Sequence, residues 1–142
     1  MTENFSAYNI WIISKYAVSK KFGFESRQCA LAKQFKIKGR NPFIISSDSN
    51  HFGVFPEFRN VYNYEEIDSF QVCWIKTVKY KKTISIRRII SWLDFEIKLF
   101  FMPKKQLIRP DVIIVSSLSL LTIINGLILS KRYKSKLIFE IR

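Results

Sequence analysis

The stretch from Arg109 to Arg142 reads as a complete strand, helix, strand unit, and it constrains the fold more than any other part of the chain. Val112-Ile113-Ile114-Val115 is a continuous apolar, β-branched run, the pattern of a strand covered on both faces in a parallel sheet. Ser116 and Ser117 break the run, and Ser117 or Ser119 suits a helix N-cap, where a hydroxyl accepts an otherwise unsatisfied backbone N–H. Leu120, Leu121, Ile124, Leu127 and Ile128 then recur at helical spacing, and Lys131, Arg132 and Lys134 complement the negative C-terminal end of such a helix. Leu137 to Ile141 returns as a second strand, and a crossover of this length is almost always parallel and right-handed. Open parallel sheets bind ligands beyond the carboxyl ends of their strands. Ser116, Ser117 and Glu140 fall on that rim, and the sequence ends there, at Arg142.

Val112 to Ser130 contains no charged residue and approaches the roughly 20 apolar residues that span a bilayer. Ser116, Ser117, Ser119, Thr122, Asn125 and Gly126 are polar or small, however, and the period changes midway from a β-branched run to a helix. Hydrocarbon penalises such groups, so no transmembrane segment is expected.

The same alternation runs through the rest of the chain. Asn9 to Ser14 is a buried-strand pattern; a loop follows from Lys15 to Phe24, then a helix from Glu25 supported by Cys29, Leu31, Ala32, Phe35 and Ile37 and stopped at Gly39. Phe43 to Ser46 is a third strand. Ser47 to Asn63, with the only histidine, His51, reads as a long surface loop. Val61 to Tyr64 and Phe70 to Ile75 suit two short strands or a hairpin around Glu65 to Ser69. Ser85 to Met102 is a long helix whose stripe of Ile86, Ile89, Ile90, Leu93, Ile97, Phe100 and Phe101 is expected to face the core, with Arg87, Arg88, Asp94 and Lys98 on the other side. With Trp92, Phe95 and basic residues at both ends, such a helix also suits an anionic membrane surface, and its basic flank is expected to be drawn to one. This order argues an α/β domain with a mainly parallel sheet, a single domain over all 142 residues.

The formal net charge is +13, and ten basic residues against two acids lie between Lys76 and Arg109. Such a patch attracts polyanions: anionic lipid, nucleotide or sugar phosphates, or nucleic acid. A solvated basic face accounts for it equally well. No nucleic-acid recognition motif accompanies the charge, and the aromatics sit in core-like patterns, so nucleic acid is not expected as a partner. Cys29 and Cys73, the only cysteines, fit core thiols in a reducing compartment and form no zinc pattern. Met1-Thr2-Glu3-Asn4 does not open a signal peptide, so the cytoplasm is expected.

Motif chemistry is sparse. The loop from Lys15 to Arg27 opens onto a helix N-terminus, which favours anions, yet its single glycine, Gly23, excludes a dinucleotide fingerprint and a P-loop. No metal or cofactor is implied, and no catalytic constellation is identified. Glu65, Glu66 and Asp68 read as partners of nearby lysines.

Three blocks resemble the N-terminal domain of family-four retaining glycosyltransferases, which have the two-domain GT-B architecture, and most of all the subgroup that builds bacterial capsule and O-antigen polysaccharides. They are Ile10 to Phe24; Glu25-Ser26-Arg27 running into Leu31-Ala32-Lys33; and Arg109-Pro110-Asp111-Val112 through Ser116-Ser117 to Phe139-Glu140-Ile141-Arg142. The resemblance implies a Rossmann-like, three-layer α/β/α domain that binds an acceptor, lipid-linked or saccharide, at the anionic inner face of the membrane. The expected acceptor- or phosphate-binding residues are Phe22, Gly23, Ser26 and Arg27 from the first loop, with Ser116, Ser117 and Arg142 from the rim. In that family a C-terminal domain binds the nucleotide-sugar. No such domain follows Arg142, so the chain is expected to be a fragment or half of a split enzyme, inactive alone.

Overall fold

The computed structural model describes residues 8–50, 53–117 and 120–141; Met1 to Asn4, His51, Ser119 and Arg142 lie outside the described residues. The strands are β1 (Asn9–Ile13), β2 (Asn41–Ser47), β3 (Tyr62–Ile67), β4 (Phe70–Ile75), β5 (Val112–Ser117) and β6 (Lys136–Ile141). The helices are α1 (Arg27–Ile37), α2 (Ile86–Phe101) and α3 (Leu120–Tyr133), with a 3-10 turn at Lys20–Phe22. All six strands join one sheet in the order β3-β4-β2-β1-β5-β6, parallel throughout except for β3, which is antiparallel to β4. The protein is therefore α/β with a mostly parallel sheet, consistent with a Rossmann-like fold. Ile114 pairs with Ile138 across β5 and β6, so the C-terminal strand, helix, strand unit closes as its sequence pattern predicts.

Alternating side chains of the central strands divide into two buried clusters, because successive residues of a strand point to opposite faces. Ile10, Ile12, Ile44 and Ile114 pack with Cys29 and Ala32 of α1. Trp11, Ile13, Ile45 and Ile113 pack with Phe95 and Leu99 of α2 and Leu129 of α3. Burial on both sides is what makes these strands uninterrupted apolar runs. Helix α3 comes so close to β5 that a Cβ at Gly126 would stand 2.7 Å from Val115 Cγ2.

Several expectations change. Helix α1 begins at Arg27 rather than Glu25, because the Ser26 hydroxyl accepts the backbone N–H of Cys29 and fixes the cap there; Ile37, expected to support its apolar face, is 76 % exposed. The segment read as a surface loop from Ser47 opens with four buried polar residues, Ser47, Asp48, Ser49 and Asn50. Strand β3 extends through Glu65 and Glu66 to Ile67, leaving Asp68 and Ser69 as a two-residue turn with φ of 49° and 70°. Both values are left-handed, as a type I′ hairpin requires. Glu65 accepts from Trp74 Nε1 at 3.1 Å and pairs with Lys21, while Asp68 lies 3.2 Å from Lys33, so these carboxylates do meet lysines.

The largest correction concerns α2. Its bounds match the sequence pattern, with Ser85 as N-cap and Met102 as C-cap, but its apolar stripe faces away from the core. Ile86 is 77 % exposed and Phe101 72 %, and Ile89, Ile90, Leu93, Ile97 and Phe100 are also exposed. The buried side consists of Ser91, Phe95, Glu96 and Leu99. A polar helix face is tolerated there because α3 supplies partners: Thr122 Oγ1 donates to Glu96 Oε1, and Asn125 Nδ2 donates to Glu96 Oε2 at 2.7 Å. Burial pushes the Glu96 carboxyl above its ordinary pKa, and the two hydrogen bonds oppose that rise.

Candidate functional site

The topology selects one end of the sheet. From β1 the chain passes through α1 to β2 on one side, and from β4 it passes through α2 to β5 on the other side of β1. The loops leaving β1 and β5 therefore diverge at their carboxyl ends, the kind of switch point at which open α/β sheets hold ligands.

Buried polar residues collect at this end: Ser14 and Lys15 after β1, Ser46 to Asn50 at the end of β2, Thr77 after β4, and Ser116 at the end of β5. Such burial is costly unless each group finds a partner, and the partners come from different strands. Ser47 Oγ and Thr77 Oγ1 lie 2.6 Å apart, the Thr77 N–H donates to Asp48 Oδ1 at 3.0 Å, and Ser46 Oγ donates to the Ala17 carbonyl at 2.9 Å.

Cations converge on the same place. Lys15 Nζ donates to the Ser49 carbonyl at 2.6 Å and sits between two rings, 5.1 Å from the centroid of Tyr16 and 5.2 Å from that of Tyr80. Lys79 Nζ, itself half exposed, is 2.8 Å from Oδ2 of the buried Asp48. Arg88 donates from Nη1 to the Thr83 carbonyl at 2.8 Å and from Nη2 toward Tyr16 Oη at 3.5 Å, with its guanidinium 5.1 Å from the Trp92 ring. Trp92 Nε1 also donates to Tyr16 Oη. Burial above all, and then the Arg88 charge, lower the Lys15 pKa to about 7; Asp48 works in the other direction. An anionic group such as a phosphoryl entering here would favour the protonated form of Lys15 and meet Lys79 and Arg88 beside it.

A second set lies on the β5 side. Gln28 Nε2 donates to Ser116 Oγ at 2.8 Å, both side chains being buried, and Arg27 forms an ion pair with Glu140. The first turn of α1 is thereby tied to the ends of β5 and β6. Ser26 serves the backbone twice, accepting from Val18 N at 3.0 Å and from Cys29 N at 3.4 Å.

The expected residues thus separate. Arg27 and Ser116 come together at the rim, Ser26 shapes the loop beside them, and Ser117 pairs through its backbone with Ile141. Phe22 belongs to a core cluster, its ring 5.0 Å from Phe55 and 5.4 Å from Trp74, and it borders a cleft of about 510 Å³ against β3. Gly23 closes the 3-10 turn at φ 116°, donating its N–H to the Lys20 carbonyl. Arg142 lies outside the described residues.

The rim contains residues not singled out from the sequence: Lys15, Asp48, Thr77, Lys79 and Gln28. Their one visible signal is position, since Lys15, Asp48 and Thr77 each follow or end an apolar strand pattern. A further cleft of about 470 Å³, lined in part by Asn9, Asn41, Gln71 and Gln106, opens at the amino ends of the strands, where this topology does not direct ligands. Among the described residues no group of three His, Cys, Asp or Glu is arranged to hold a metal ion, and no helix is long and apolar enough to cross a membrane. No protein-family model matches this chain, and no curated protein matches it.

Proposed function

We propose that this domain is the acceptor-binding half of a retaining sugar transferase of the GT-B type, its three layers being α1, the sheet, and α2 with α3. The observation that carries the reading is the concentration of buried polar and cationic side chains at the carboxyl ends of β1, β2, β4 and β5. In this reading Lys15, Lys79 and Arg88 receive the phosphate of a lipid-linked acceptor, while Gln28, Ser116 and the Arg27 to Glu140 pair bracket hydroxyls of its sugar. The nucleotide-sugar is bound by a separate domain, as in the family resembled, and transfer takes place between the two in surface polysaccharide synthesis. Such a domain works in the cytoplasm against the inner face of the membrane, and alone it transfers nothing, because donor and acceptor must be held together.

Calorimetric titration with a short-chain, water-soluble polyprenyl-diphosphate sugar tests this. Saturable binding is expected, weakened about tenfold in Lys15→Met by loss of a charge-assisted hydrogen bond. Absence of binding to this compound, and to the phosphate-free saccharide alike, would refute the reading. A second reading, a non-catalytic domain on an anionic membrane, is favoured by the outward apolar stripe of α2.

A further inference from the structure

We infer that the outer faces of α2 and α3 together form a docking surface for an anionic lipid bilayer, with the apolar stripe of α2 seated among the lipid headgroups. The inference rests on the membrane placement proposed above and names its surface; it does not rest on sugar transfer.

Both helices lie on the same face of the sheet, packed side by side where Glu96 meets Thr122 and Asn125. At 100° per residue, Ile89, Leu93 and Phe100 lie next to Glu96 on the outward side of α2. On α3, Leu121 and Ile128 are correspondingly turned outward beside Asn125, and both are exposed. The two exposed apolar strips therefore adjoin. Helix α1, on the other face of the sheet, shows the ordinary arrangement, with Gln34 and Lys36 outward and Ile37 its only large exposed hydrophobic residue. Large contiguous apolar surface of the kind on α2 and α3 marks an interaction site.

Charge selects the occupant. Lys81, Lys82 and Arg87 lie at the start of α2, Lys105 just past its end, and Lys131 and Arg132 in the last turn of α3, all exposed. The two helices contain only two acids, Asp94 and Glu96. Asp94 is held 2.9 Å from Lys98 and accepts from the Val78 N–H, and Glu96 is buried, so neither offsets the basic border. A second copy docking through this face would set the same cations against one another, since a two-fold interface opposes a patch to itself. A nucleic acid would satisfy the charge and leave the isoleucines in water. An anionic bilayer satisfies both at once. At 16 residues α2 is roughly 24 Å long, short of the roughly 30 Å hydrocarbon core, so it lies along the surface rather than across it.

The test is sedimentation of the full chain with phosphatidylcholine vesicles, with and without about a third phosphatidylglycerol. Binding is expected to the anionic vesicles only, reduced roughly fivefold for each exposed charge removed in Arg87→Gln and Lys105→Gln. Leu93→Asn with Ile97→Asn is expected to reduce it more than tenfold, with the circular dichroism spectrum retained because neither side chain is in the core. Ile37→Asn on α1 and Lys15→Met at the rim should bind vesicles like the parent, which separates this result from that of the acceptor titration. Equal binding to neutral and anionic vesicles, or undiminished binding by the Leu93→Asn, Ile97→Asn protein, overturns the inference. So does a parent that is dimeric without lipid while that variant is monomeric, which would give the face to a second copy.

Discussion

Replacing Gly126 by alanine sets two effects of known size against each other. In a helix interior alanine is favoured over glycine by about 1 kcal/mol, so on propensity alone the variant gains stability. The new methyl group, however, would meet Val115 Cγ2 at 2.7 Å and Leu137 Cδ1 at 3.3 Å. Leu137 has a flexible side chain and can yield. Val115 cannot readily do so: it is β-branched, 1 % exposed, and fixed in β5 between β1 and β6. Overpacking of this kind costs about 1–3 kcal/mol, so the expected outcome is a net loss of about 1 kcal/mol, read as a lower urea midpoint at unchanged slope. A double-mutant cycle identifies the cause. Val115→Ala alone creates a cavity and destabilises by about 2 kcal/mol, but combined with Gly126→Ala the new methyl group occupies part of that space. The double variant should therefore be more stable than the sum of the two singles predicts, by about 1 kcal/mol. A Gly126→Ala protein as stable as the parent, or two strictly additive substitutions, would refute the close approach of α3 to β5.

Two further outcomes follow from buried or strained groups. Burial raises the Glu96 pKa above its usual 4.5, so the folded protein keeps a proton that the unfolded chain has released, and stability should fall as pH rises from about 4.5 through the raised value. Glu96→Gln, which keeps hydrogen-bonding atoms toward Thr122 and Asn125, should flatten that part of the pH profile in urea melts; an unchanged slope argues against a buried carboxyl. In the β3–β4 turn, Ser69 adopts φ 70° without being glycine, so Ser69→Gly should restore the preferred Asp-Gly pair and raise stability by about 1 kcal/mol, measured by thermal melting.

The architecture was legible because parallel strands covered on both sides leave a strong mark: Ile10 to Ile13, Phe43 to Ile45 and Val112 to Val115 are apolar at every step. The hairpin was only partly visible, since Glu65 and Glu66 on an edge strand do not look like strand residues until Lys21 and the Trp74 indole are seen to meet Glu65. At the rim, Ser116 and Arg27 were readable from their places at a strand end and a helix start. Lys15, Asp48, Thr77 and Lys79 were not, because they meet only through the lateral pairing of β1 with β2 and of β2 with β4, and local patterning does not encode which strand lies beside which.

Helix α2 shows a different limit. Its period of 3.6 residues was unmistakable, and its two ends fell where the caps predict, yet the inference that the apolar side meets the core was reversed. Periodicity shows that a helix has two unlike faces; it does not show which of them the fold encloses. Here the enclosed face has two large apolar side chains, Phe95 and Leu99, together with a serine and a glutamate, and it is viable because the polar positions of α3, Thr122 and Asn125, face that glutamate. Those residues counted in the sequence as reasons against a membrane-spanning segment. They also mark where α3 meets α2, and a polar stripe on one helix paired with a polar stripe on the next turns the apolar sides of both outward.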